Sequence, residues 1–371
     1  MLFALLLLDI AHTFDRPVGV TGLIETVSLT VAAITALLMG AWSIRYNHKS
    51  LLLLGLGFLC IAAVGCFLAL NFTMMIIFYA LTGLGYTMVQ PMTYTLIGEH
   101  LPLEKRTSAI GRLSASMASV FIIGPPIIVV LAGLGGWRLP FLVFALPVSL
   151  LSLMMTAKGI PSPTRSSHPL KSTQEYIKGF KGVFTNRSAV TCLIGTALLF
   201  AGWQGPLIYS PSFFREHFQI STGFASILLT CLALSYVLGS LVISRFTIRF
   251  GKKSLTVVTA GIAGSFFIAF TNVSYLWLSV AFLYLGGLFF GMLVTTSTSL
   301  TLEQVPRFRG TMMSMHSSAW NVGAALGTGI GGLVLLLRNY EFLGLFLGAM
   351  VLAAAPLFNL WVSDPTNTHQ V

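Results

Sequence analysis

Ionisable side chains inside long apolar stretches are where chemistry is first sought in this chain, because each is costly in hydrocarbon unless paired or wetted. Two stand out, Glu25 and His316. Glu25 is read either as an interfacial carboxylate reaching for water or as a group that carries a coupling proton. His316 lies four residues before Trp320, so imidazole and indole share one helical face, with Asn321 beside them. A histidine changes charge near neutral pH and suits a travelling proton. The competing reading is a structural imidazole hydrogen-bonded between helices. Trp203-Gln204 precede a Gly205-Pro206 step expected to break the helix and free backbone carbonyls near mid-bilayer. Gln90 before Pro91, and Tyr236, are further candidates. Aromatics with a few amides suit an amphiphilic organic solute better than an inorganic ion. The expected chemistry is therefore non-covalent binding with proton exchange.

Covalent chemistry is disfavoured. Cys60, Cys66, Cys192 and Cys231 fall in apolar stretches with no zinc-ligand spacing, so no metal and no cofactor is expected. His12-Thr13-Phe14-Asp15 superficially resembles an acid–base pair but has no nucleophile or metal partner nearby. A membrane-embedded enzyme is the alternative of another class. No Gly-x-x-x-x-Gly-Lys-Ser/Thr phosphate loop is present, which argues against an ATP-driven pump.

Candidates of this kind need long apolar helices to position them. The chain is 56% hydrophobic and only 8% charged, more apolar surface than a soluble domain could bury. Its charges cluster between apolar runs of roughly 20 residues, the length that crosses a bilayer core. Complete spans are expected at 20–41, 51–70, 73–97, 108–134, 139–157, 188–210, 221–244, 255–271, 274–298, 310–336 and 341–362. With no water for backbone groups there, these must be helices.

The net charge of +11 is a topology signal and not a nucleic-acid footprint. With loops assigned to alternate sides, every Lys and Arg except Arg16, Arg138, Arg215 and Arg338 falls on one side. The positive-inside rule makes that side cytoplasmic, together with the C-terminus, and places 10–19 and 211–220 outside. The setting is the plasma (inner) membrane. Partners are the lipid bilayer, a small organic substrate and protons; no nucleic acid is expected, and the chain is expected to act as a monomer.

A repeat runs through the chain at a 204-residue spacing. Ile44-Arg45 aligns with Ile248-Arg249, and Lys49-Ser50-Leu51 with Lys253-Ser254-Leu255. The register extends to Phe14 and Phe218, Gly83 and Gly287, Glu99 and Glu303, and Pro102 and Pro306. Duplication in a membrane protein points to a transporter. By the same register Met1 falls on Gly205, so Ser188–Gln204 has no counterpart and helix one is expected to be short, only Met1–Ile10.

These residues resemble the major facilitator superfamily over nearly the whole chain. The resemblance implies an all-α fold of two parallel six-helix bundles, about twelve membrane helices with helix one incomplete. The implied units are a bundle at 1–157, a linker with an amphipathic helix at 158–187, and a bundle at 188–371. The family's loop signature is Gly-x-Leu-x-Asp-Arg-x-Gly-Arg-Lys. Gly40, Arg45 and Lys49 fit it in the first copy; Arg249, Gly251, Lys252 and Lys253 fit it in the second. Gly124-Pro125, Gly136-Trp137-Arg138 and Gly331-Gly332 look most like the drug or sugar efflux branch. That implies a secondary transporter working by alternating access, by efflux and proton antiport, with a facilitator or importer as the alternative.

Two departures bear on mechanism. The antiporter branch carries an Arg in helix four, where this chain reads Tyr79-Ala80-Leu81-Thr82-Gly83, and its Gly-Pro step is followed here by Pro126-Ile127-Ile128. In the family the motif Asp pairs across the halves with a motif Arg. Ile44 and Ile248 cannot accept a hydrogen bond, so Arg45 and Arg249 are expected to turn to Glu99, Glu104 or Glu303. Gly323, Gly327 and Gly331 recur every four residues and, with Gly124 and Pro125, are read as helix-packing positions.

Overall fold

The computed structural model of the 371-residue chain describes residues 2–101, 103–160, 173–243, 246–247 and 250–364. Within its helices the side chains of 40–41, 44–45, 98, 103–108, 110–111, 114–115, 117–119, 121–122, 173–177 and 309–310 are not described. The elements are α1 (Leu2–Thr13), α2 (Val18–Thr21), α3 (Leu23–Arg45), α4 (His48–Leu68), α5 (Phe72–His100), α6 (Leu103–Gly135) and α7 (Leu146–Gly159). They continue with α8 (Thr173–Phe184), α9 (Arg187–His217), α10 (Thr222–Val242), α11 (Lys252–Ala269), α12 (Leu276–Glu303), α13 (Arg309–Leu337) and α14 (Tyr340–Trp361). Nine described segments are long and apolar enough to cross a membrane.

The repeat is visible in backbone geometry. At the 204-residue offset α4 and α11 start together at His48 and Lys252, α5 and α12 at Phe72 and Leu276, and α1 and α9 end together at Thr13 and His217. The only positive-φ residues other than glycine among those described are Asp15 (49°) and Gln219 (54°), which also stand 204 apart. A left-handed residue costs energy for anything but glycine, so its recurrence at one repeat position marks a turn inherited twice. Packing repeats as well: Gly83 of α5 abuts the Ser28 backbone of α3, and Gly287 of α12 abuts Leu232 of α10, each at the same offset. Two helical bundles result, α1–α7 and α9–α14, with α8 between them in the chain.

Helix α9 differs from the expected span. It runs unbroken through Pro206 and Pro211 to His217, which removes most of the outer loop expected at 211–220 and the break expected at Gly205-Pro206. Proline frees a carbonyl and strains a helix, yet packed neighbours tolerate it in membrane helices. Here Gly202 and Gly205 seat Val351 and Leu347 of α14 against the helix, and residues from Leu199 to Phe214 are buried with the exception of Leu207. The sixth span opens with a π-helical turn, Phe141–Ala145, before α7. The Trp137-Arg138 step that precedes it has a clear task. Arg138 lies 4.4 Å from the Trp137 ring and donates to the Ala69 carbonyl at the end of α4, while Trp137 donates to Thr13 of α1.

Candidate functional site

In the second bundle the candidate aromatics form one wall. The Trp203 ring on α9 stacks on Phe290 of α12 at 4.7 Å and 5°, with Tyr236 of α10 at 5.5 Å. Phe200, one turn before Trp203, meets Trp320 of α13 at 4.7 Å and Phe290 at 5.8 Å. Trp203 and Gln204 are buried, whereas Trp320 is 41% exposed. Asn321 donates to the Ser317 carbonyl of its own helix. Offset-stacked rings of this kind make a rigid apolar platform with polar edges.

The first bundle contributes a polar stripe. Tyr79, Tyr86 and Gln90 lie seven and four residues apart on α5 and so share a face. Tyr79 donates to Oε2 of Glu25 on α3 at 2.8 Å, and its ring packs 5.1 Å from Phe3 of α1. Tyr86 is 69% exposed and Gln90 is exposed. Glu25 is thus not a bare interfacial carboxylate. A tyrosine from a neighbouring helix holds one of its two oxygens. Thr82, beside Gly83, pairs with Ser28 of α3 at 2.9 Å.

His316 sits elsewhere, within the second bundle. Its Nδ1 lies 3.2 Å from Thr196 Oγ1 on α9 and its Nε2 lies 3.4 Å from Thr298 Oγ1 on α12. Thr196 directs its own proton to the Cys192 carbonyl, so it accepts from Nδ1–H, and Thr298 serves Nε2. Both ring nitrogens are satisfied, and only 6% of the residue is exposed.

Side-chain links between the bundles lie toward the face opposite the basic loops. Asp9 of α1 pairs with Arg215 of α9 at 3.0 Å, and Thr26 of α3 donates to Thr328 of α13 at 2.9 Å. Gly19 meets the Gly332 backbone, and Gly22 leaves room for the Tyr209 hydroxyl, which donates to the Thr328 carbonyl at 2.7 Å. Trp203 is six residues before Tyr209 on α9 and Trp320 eight before Thr328 on α13, so the aromatic wall sits about 9–12 Å from this seal toward the basic face. Glycine spacing in α13 does what packing requires: Gly323 and Gly327 rest on the Ala197 and Ala201 carbonyls of α9, and Gly331 on Tyr209 and Leu343. Gly124 and Pro125 are buried, but a Cβ on Gly124 would meet only Val120 of its own helix, at 3.7 Å, among the described residues.

On the basic face the gate motif divides. Arg249 lies outside the described residues, and of Gly40, Arg45, Glu104 and Arg309 only the backbone is described. Two of the acids expected for Arg45 and Arg249 are engaged within their own bundles: Glu99 with His48, and Glu303 with Lys252. The reason is geometric, since the residue opening the third helix of each half faces the end of the fourth. Lys49 caps the end of the sixth span, donating to the Ala157 and Ile160 carbonyls at 3.0 and 2.6 Å. Lys253 presents its backbone N–H to Asp364, the repeat partner of Ile160, and Gly251 takes a φ of 76° beside it. In α8, Val183 is buried, Gly179 abuts Thr311, and Gly182 abuts Phe308.

Comparison with known proteins agrees with this architecture. The sequence profile of the Major Facilitator Superfamily matches residues 1–228 and 192–371, and the chain belongs to that family. An uncharacterized MFS-type transporter YwfA of Bacillus subtilis (strain 168) is 24% identical over 350 residues, covering 93% of this chain and 84% of that protein. A probable sugar efflux transporter of Helicobacter acinonychis (strain Sheeba) is 23% identical over 359 residues, covering 95% and 89%. Among solved structures, a point mutant of the nucleoside transporter NupG superposes with a TM-score of 0.77 at 16% identity, covering 98% of this chain and 96% of that one. The D-xylose-proton symporter gives 0.76 at 15%, covering 93% and 88%. The protein is a multi-pass membrane transporter of small solutes and not an enzyme.

Proposed function

We propose that this protein exports a small amphiphilic organic solute across the plasma membrane by alternating access, in exchange for a proton, with its basic face and C-terminus cytoplasmic. The observation that carries the reading is that the two bundles bring unlike walls, an aromatic platform on the basic side of the seal in one and a polar stripe whose Glu25 adjoins the seal residue Thr26 in the other. An aromatic platform of Trp203, Tyr236 and Trp320, flanked by Gln204 and Asn321, belongs to one bundle; Glu25, Tyr79, Tyr86 and Gln90 belong to the other. A solute with an apolar face and hydroxyl or amino groups satisfies both walls at once. Curated relatives named as probable sugar efflux transporters fit such a solute, since sugars present an apolar ring face and a polar rim.

Glu25 is the better proton carrier of the two sequence candidates. Its second oxygen is not held by Tyr79, whereas both nitrogens of His316 already have partners. The units at 1–157, 158–187 and 188–371 act as moving bundle, connector and moving bundle, and a monomer suffices. The test is transport in proteoliposomes of known orientation, with radiolabelled hexoses and pentoses and an amphiphilic fluorescent dye as probes. Accumulation that follows an imposed pH gradient supports antiport. Equilibration of a probe without response to the gradient would instead assign a facilitator, the reading favoured by the absence of an arginine from the stretch Tyr79–Gly83.

A further inference from the structure

The two halves carry the same clasp on the basic face with different chemistry. At the 204-residue offset His48–Glu99 corresponds to Lys252–Glu303, each joining the start of the third helix to the end of the fourth. Lysine keeps its charge throughout the physiological range, while histidine changes charge between about pH 5 and 8. His48 Nδ1 lies 2.6 Å from Glu99 Oε1, and its Nε2 lies 3.1 Å from the Ser43 carbonyl. Both partners are acceptors only. A neutral imidazole has one N–H and can serve one of them; the imidazolium serves both. Ser43 is in the last turn of α3, whose terminal carbonyls lack helical partners and favour a cation. The protonated ring therefore ties together the ends of α3, α4 and α5.

We propose that His48 and Glu99 form a proton-operated clasp on the basic face, closed when the ring is protonated, while the Lys252–Glu303 clasp in the other half stays closed. Its leverage comes from α3, the helix that carries Thr26 into the seal with the second bundle and is preceded directly by Gly22 and by α2 with Gly19. The other described charged groups near the ring have tasks of their own. His100 of α5 is turned to the Leu96 carbonyl, and Lys49 of α4 serves the carbonyls at the end of α7. The second clasp is also backed by a polar knot that the first lacks among the described residues: Gln304 donates to the Leu300 and Ser363 carbonyls, and Ser188 reaches both Gln304 and Ser363. Only the first half is thus built to loosen with pH.

The full chain in lipid nanodiscs, spin-labelled at Lys158→Cys and Arg307→Cys with the native cysteines replaced, tests this by inter-label distance between pH 6 and 8. The wild-type sequence at position 48 should show the population of the seal-closed state falling about two- to fivefold as pH rises, the range open to a partly exposed ion pair. His48→Lys should hold the low-pH distribution at every pH, and His48→Gln and Glu99→Gln should each hold the high-pH one. Lys252→His, which copies the first clasp into the second half, should add a pH response in the His48→Lys background. Persistence of the original response in His48→Lys, or absence of a new one in His48→Lys/Lys252→His, would overturn the proposal.

Discussion

Glu25 has two oxygens and one described donor, and this asymmetry decides what each substitution should do. Glu25→Gln removes the titrating group but keeps a hydrogen-bonding side chain beside Tyr79. Solute exchange should survive while the response to a pH gradient disappears. Tyr79→Phe removes only the donor and should change the pH profile of transport with the site otherwise intact. His316→Gln, in contrast, should leave the pH profile unchanged and lower thermal stability by about 1–3 kcal/mol, since it disturbs two partnered threonines. A pH profile altered in His316→Gln but not in Glu25→Gln would reverse the assignment. Much of this site was legible in the sequence. Trp203, Tyr236 and Trp320 are large polar-edged aromatics in spans of otherwise small and aliphatic residues, and the structure gathers them. Tyr79 was not legible as a partner, because nothing in its spacing says that α5 turns it toward α3. Asp9 and Arg215 were missed for a similar reason. Each reads alone as an ordinary charge near the end of a span, and only the meeting of α1 with α9 makes them a pair.

Helix positions were the most readable feature, since a bilayer imposes a length and forbids unpaired backbone. The departures have local causes. Gly205-Pro206 signals a break in sequence, yet α9 is enclosed by neighbours that support a helix continuous through Pro206 and Pro211. Glycines also divide by environment in a way that spacing alone does not reveal. Gly327→Leu would drive a side chain into the Ala201 backbone and should cost at least the ~1–3 kcal/mol of ordinary overpacking, with α9 and α13 forced apart. Gly57→Ala on α4 meets nothing within 4 Å and should be neutral or stabilising by up to about 1 kcal/mol, as helix propensity predicts. Thermal melts of the two purified variants test the contrast. Equal costs would mean that glycine spacing in α13 reflects something other than close approach to α9.

For the whole molecule, duplication sets the frame and the differences between copies supply the mechanism. The backbone repeats down to the left-handed residues Asp15 and Gln219, whereas the candidate walls of the two bundles do not: one is aromatic and the other carries the carboxylate. Closure on the face opposite the basic loops rests on Asp9–Arg215, Thr26–Thr328 and the Gly19–Gly332 approach. Asp9→Asn should therefore raise the population open on that face, by about two- to fivefold for a partly exposed pair. Spin labels at the ends of α1 and α9 would read the change, and an unaltered distance distribution would remove the pair from the gate. On the basic face, Ile44→Asp should restore the family's missing anion beside Arg45 and draw the halves together there, read as a shorter distance between labels on the two bundles.

The central claim is that one carboxylate, Glu25 of the polar wall, couples solute movement to a proton. The direct measurement is gradient-driven accumulation of a labelled sugar or amphiphilic dye in oriented proteoliposomes, compared between the unmodified chain and Glu25→Gln. The account predicts accumulation in the first that collapses when the pH gradient is dissipated. In the second it predicts equilibration with no accumulation, at a comparable rate of solute exchange. Equal gradient-driven accumulation by both proteins would contradict it.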